Sequence, residues 1–174
     1  MDGTSQSYAY LWQVDGKRVS VSLSLSVVDG LSQAAEEGIQ ALPRRRMETG
    51  GFLLGRTRRG RGRSTVVEVE AFEPLVCEHA FGPSYLLSIP DRVGLEARLA
   101  ARGPRGGHSI VGFYRTHTRR ELAATVEDVD LLSSYFSDPS QVFLLIHDYL
   151  GRHAPFFTRN GVLEKHLHGG RPLL

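Results

Sequence analysis

Cysteine is nearly absent from this chain: Cys77 is the single one in 174 residues. One thiol excludes an internal disulfide and any multi-cysteine zinc cluster, so a metal would have to be held by histidine and carboxylate. An excess of one charge is missing too, since 21 Lys and Arg face 19 Asp and Glu. The resulting net charge of +2 argues for local rather than global basic character. No apolar run approaches the roughly 20 residues needed to span a bilayer. The N-terminal MDGTSQSYAY lacks the basic and apolar regions of a secretory signal. The expectation is a chain with no membrane partner, suited to a reducing, cytoplasmic compartment.

Hydrophobic residues make up 41% of the chain, enough for one core. We expect a single domain over 1–174, with its core at about 8–160 and a loose tail after 161. Tyr8 to Gln13 and the alternating Val19 to Ser26 read as strands joined by a turn at Val14 to Lys17. From Val27 the period becomes helical, with Val28, Leu31, Ala34, Ala35 and Ile39 on one face, until Pro43 and the Arg44–Arg46 triplet. Glu48 to Gly55 and Ser64 to Leu75 flank a glycine- and arginine-rich hairpin tip, and Leu75 to Tyr85 reads as irregular. A helix is expected over Pro90 to Ala101, on apolar positions Val93, Leu95 and Leu99. Strands are expected at Ile110 to Tyr114, Gln141 to Leu150 and around Phe156 and Phe157. Tyr135, Phe136, Phe156 and Phe157 stand at core-like positions. Strands and helices alternate without a strict βα rhythm, which predicts an α/β (α+β) domain with helices flanking one mixed sheet.

Two stretches carry the functional signal. In Ile110 to Leu132 a buried strand leads to Arg115, Thr116 and His117; Thr125 is placed to N-cap the next helix and Asp128 follows three residues on. An imidazole, a hydroxyl and a carboxylate are thereby brought to one strand end. The other stretch is ETGGFLLG, Glu48 to Gly55. Taken singly, Glu48 would be a carboxylate balancing nearby arginines, His117 a structural histidine and Asp128 a first-turn acid favoured by the helix dipole. The glycines after Glu48 set it apart, and the joint spacing of His117 and Asp128 to Thr125 sets those two apart. Gly50 and Gly51 read as positions needing close backbone approach.

Together these stretches resemble the MPN/JAMM metalloprotease family: a glutamate before Gly-Gly-x-Leu-x-Gly, then His-x-His-Pro, then Ser-x-x-Asp. Glu48, Gly50, Gly51, Leu53 and Gly55 match the first part, and His117, Thr125 and Asp128 match the second histidine, the serine and the aspartate. The resemblance implies a cytidine deaminase-like mixed sheet and, in active members, zinc held by two histidines and the aspartate. It implies Glu48 as base, Thr125 as oxyanion donor, and His117 and Asp128 as metal ligands. It further implies a protein partner, such as a ubiquitin-like protein or peptide segment, and homodimers.

Two positions depart from the pattern: Arg115 stands in the first ligand histidine's place and Thr118 in the proline's. Arginine keeps its proton and offers no lone pair, so it cannot ligate a metal. Its guanidinium is expected to take the cation's place, pairing with Asp128 and Glu48, while Thr118 is expected to alter mainly the turn. The leading expectation is a catalytically inactive pseudo-metalloprotease with no cofactor, acting as a protein-binding or scaffold module. A rival is an atypical zinc isopeptidase or peptidase whose missing ligand is supplied by His79, Cys77 or a residue of a partner protein; His147 reads as a core or surface histidine. The third reading, an arginine-rich nucleic-acid binder at Arg56 to Arg63, is disfavoured because the tip has no aromatics and the next strand carries Glu68, Glu70 and Glu73.

Overall fold

The computed structural model describes residues 9–13, 18–40, 47–101, 107–118, 124–147 and 156–158. The expected turn at Val14 to Lys17, the Arg44–Arg46 triplet and the tail after 161 lie outside them, as do the side chains of His147, Phe156 and Phe157. The fold is mixed α+β. Its strands are β1 (Ala9–Gln13), β2 (Val19–Ser24), β3 (Gly50–Arg59), β4 (Thr65–Pro74), β5 (Ser109–His117), β6 (Val142–His147) and β7 (Phe156–Thr158). Its helices are α1 (Leu25–Gln40), α2 (Ile89–Ala100) and α3 (Val126–Tyr135).

The seven strands form one sheet in the order β1-β2-β4-β3-β5-β6-β7. β2–β4 and β5–β6 pair in parallel and the other neighbours are antiparallel. Alternation along the strands divides the core between the two faces. On one face Val21, Leu23, Leu53, Val67, Val69, Leu144 and Ile146 pack with Val27, Val28 and Leu31 of α1. On the other, Phe52, Leu54, Phe113, Phe143 and Leu145 pack with Leu95 of α2 and with Leu131 and the following Phe136. β6 is apolar without alternation because both of its faces are buried, one in each core cluster.

Several element ends differ from expectation. α1 begins at Leu25, before the change of period at Val27, with the Ser24 hydroxyl accepting from the Val27 amide. β5 runs from Ser109 through His117, so the strand expected over Ile110 to Tyr114 extends to include Arg115, Thr116 and His117 at its end. α2 starts under a capping box in which Ser88 accepts from the Asp91 amide and Asp91 accepts from the Ser88 amide. Val93, expected in the core, is 60% exposed, while Leu95 is wholly buried. Four apolar side chains, Ile89 and Val93 of α2 and Val126 and Val129 of α3, therefore remain open to solvent. The two helices touch through Arg92 with Asp130, at 3.5 Å, and through the Tyr135 hydroxyl with Glu96, at 2.9 Å.

A bulge in β5 sets the phase of the site. Leu53 pairs with Gly112 and Leu54 with Ile110, leaving Val111 as the extra residue. Beyond it Phe113 faces the α2–α3 side. Arg115 and His117, two and four residues on, follow it to that side by the period of the strand.

Candidate functional site

Arg115 is paired with Gly50 across β3–β5, so the guanidinium rises beside the start of β3, next to Glu48. Its Nη2 donates to Glu48 Oε2 at 2.9 Å and its Nη1 donates to Asp128 Oδ1 at 2.5 Å. Arg115, Glu48 and Asp128 are 3%, 1% and 2% exposed. One buried cation thus bridges two buried carboxylates, the arrangement that makes enclosed charges tolerable. Thr125 caps α3: its hydroxyl accepts from the Asp128 amide, and Asp128 Oδ2 accepts from the Thr125 amide at 2.8 Å. Asp128 therefore serves the helix start with one oxygen and the guanidinium with the other.

Glu48 is held from three directions. Oε2 also accepts from the Tyr85 amide at 3.0 Å, while Oε1 accepts from both the amide and the hydroxyl of Thr118 at 3.1 Å. Burial alone would push its pKa up, but the Tyr85 amide, the Arg115 charge, the Thr118 amide and the neighbouring His117 together bring it below the usual carboxylate value. The expectation that Thr118 alters mainly the turn is corrected here. A proline has no amide proton and no hydroxyl, so Thr118 adds two donors that the family's pattern lacks. Four hydrogen bonds therefore occupy the carboxylate.

Gly50 and Gly51 are needed where they stand. A Cβ on Gly50 would lie 2.6 Å from the Tyr85 ring and 2.9 Å from the Tyr114 carbonyl oxygen, and one on Gly51 would strike the Glu73 carbonyl. Tyr85 can approach only because Gly50 has no side chain, and that approach delivers the Tyr85 amide to Glu48. Residues 75–88, irregular over the expected Leu75 to Tyr85 and three residues beyond, are secured by Asp91, whose Oδ1 accepts from the Glu78 amide and whose Oδ2 accepts from Ser88. Tyr85 adds a bond from its hydroxyl to the Leu75 carbonyl at 2.8 Å.

His117 is buried at the end of β5. Among the described residues no three His, Cys, Asp or Glu side chains gather as a group that could hold a metal ion, so His79 and Cys77 do not complete a triad with His117 and Asp128. The Cys77 sulfur lies against the Leu86 carbonyl and the His79 amide, and burial pushes its pKa up to about 11. The His79 ring meets Tyr85 edge-on. With Arg115 between the two acids, the residues present do not fit a zinc ion.

Beside the ion pairs a cleft of about 300 Å³ is lined by Phe81, Leu86, Leu87, Leu131, Arg92 and the edges of Arg115 and Asp128. Phe81, Ile89 and Val126 are exposed at 66%, 81% and 82%.

No protein-family model and no curated protein matches the chain. Among solved structures it is similar to a Desulfitobacterium hafniense protein known from its solution structure. That likeness has 24% identity and a TM-score of 0.53, over 84% of this chain and 89% of that one. A Salinibacter ruber protein, also solved in solution, matches at 19% identity and a TM-score of 0.38, over 80% of this chain and 95% of that one. The first likeness concerns the α+β fold alone and carries no function. Among the described residues no helix is long and apolar enough to cross a membrane.

Proposed function

We propose that the chain is an MPN/JAMM-like domain whose catalytic centre has become a fixed ion-pair cluster, and that it works as a protein-binding module rather than a hydrolase. The observation that carries this reading is the Arg115 guanidinium between Glu48 and Asp128. Thr118 supports it, since its two hydrogen bonds occupy the oxygen of Glu48 that Arg115 does not reach. A cation supplied by the protein holds the acids in place with no external ligand. The cleft, with the exposed Phe81 in its lining, suits an extended peptide segment of a protein partner, with apolar anchors in the cleft.

Titration with zinc tests the first half. The wild type should take up no stoichiometric zinc and cleave neither peptide nor isopeptide bonds, whereas Arg115→His should bind zinc measurably through the new imidazole, His117 and Asp128. Tight zinc in the wild type together with peptidase activity would overturn the reading. For the second half, peptides selected from a random display library on the wild type should lose binding to Leu87→Arg and be indifferent to chelators. Peptides that bind both proteins equally would remove the cleft from the proposal.

A further inference from the structure

The far end of β3 carries a different surface. Five arginines, Arg56, Arg58, Arg59, Arg61 and Arg63, lie within eight residues there, with no acid among them. The structure divides them into two sets. Arg56 pairs with Glu70, Arg58 with Glu68 and Arg98 of α2 with Glu73, so the acids of β4 that weighed against anion binding are already engaged. His108 shares Glu70 at 3.1 Å. Arg59, Arg61 and Arg63 are exposed and have no carboxylate partner among the described residues.

Arg18 joins this second set. Its carbonyl accepts from the Thr65 amide at 2.7 Å, which brings the start of β2 beside the hairpin tip, and it too is exposed without such a partner. Sequence distance hides this neighbour, since the parallel pairing of β2 with β4 creates it. The chain end of β3 turns through a short 3-10 segment in which Gly62 and Arg63 both have positive φ, 63° and 65°. That fixes the tip in a tight, defined shape at the end of β3 and β4, with β2 alongside β4.

We propose that Arg18, Arg59, Arg61 and Arg63 form a phosphate-contacting surface for double-stranded nucleic acid. Guanidinium forks suit phosphate oxygens, and arginines spread over adjacent strand ends can meet successive phosphates along a duplex backbone without entering a groove. The absence of aromatics at the tip, which counts against stacking on single-stranded bases, is no obstacle to backbone contact. The surface stands at the opposite end of β3 from Gly50, about 30 Å away at the rise of a strand. It is therefore independent of the cleft and of any reading of the ion-pair cluster.

The test is fluorescence anisotropy of the whole protein with labelled random-sequence DNA and RNA duplexes, titrated across salt. Four phosphate contacts predict that log Kd rises with log salt at a slope of about 3.6, and the combined Arg59→Gln, Arg61→Gln and Arg63→Gln variant should bring the slope to about 1. Arg18→Gln alone should lower it by about 0.9. The substituted side chains are exposed, so unchanged thermal melting will identify a folded variant. No binding of either duplex at about 20 mM salt would overturn the proposal, as would a triple variant that binds like the wild type. Tighter binding of a polyglutamate peptide or of a single strand than of duplex would overturn it equally, in favour of another anionic partner.

Discussion

Arg115 and Glu48 meet at 2.9 Å with 3% and 1% of their surfaces exposed, although 67 positions separate them in sequence. Such a pair is easily misread as a stabilising ornament. Enclosing charges is costly, and the net gain over apolar residues of the same shape is often nothing. Breaking one side is another matter, because it strands the remaining charge.

Arg115→Met should therefore destabilise the domain by about 3–5 kcal/mol at neutral pH, since Glu48 and Asp128 are left buried without their cation. The deficit should shrink as the pH is lowered and the stranded acids take up protons. Urea denaturation of both proteins at several pH values measures it.

Glu48 itself predicts acid sensitivity. Its folded-state pKa lies below the ordinary 4.5, so the unfolded chain binds the proton more readily than the folded one. The stability it contributes is complete above that ordinary value and is lost as the pH falls through the folded one. In Glu48→Gln this part of the pH dependence should be absent, leaving a flatter stability profile below about pH 5. An unchanged acid limb would assign the effect to another group.

Cys77 should be slow to react. With its pKa near 11, alkylation by iodoacetamide at about pH 8 should run at least about 100-fold below that of an unhindered thiol. Urea should restore the ordinary rate. A fast reaction in the folded protein would return Cys77 to consideration as a thiolate ligand.

Thr125→Ala removes the side-chain half of the α3 cap and should cost about 1 kcal/mol, or about 2–4 °C in melting temperature. Thr125→Ser should melt close to the wild type, because serine keeps the acceptor that the Asp128 amide needs.

Much of this site was legible before the coordinates. The eleven positions from His117 to Asp128 bring those two residues and Thr125 to one strand end through local cap and turn geometry, whereas Glu48 joins them only through the resemblance to a known motif. Arg115 as a resident cation follows from its charge together with its place at the first ligand position of the resembled motif. What could not be read is what depends on other segments' backbones. The Tyr85 amide has no signature in the residue's identity, and its delivery to Glu48 depends on residues 75–88, which lack any periodic pattern. Thr118 looked like a turn residue because a proline normally marks one. Ser88 with Asp91 repeats the Thr125 and Asp128 capping pattern and could have been found by the same rule. Val93 fits a helical stripe by spacing, yet nothing in the described residues covers it, so periodicity overstated the core. The sheet order, with β2 beside β4, is a matter of long-range pairing that no local stretch encodes.

Glu48 connects a strand start to partners 37, 67 and 70 positions away. It is a non-covalent knot among distant parts of the chain, and each of its loops has to close before the carboxylate finds a donor. Loop closure of that length is entropically expensive and is rewarded only when the sheet already exists. The knot should tighten after the folding barrier has been crossed, so loosening it would hasten unfolding and leave the folding rate almost untouched. In that sense the residues that give the domain its identity govern how long it stays folded, and have little say in how it gets there.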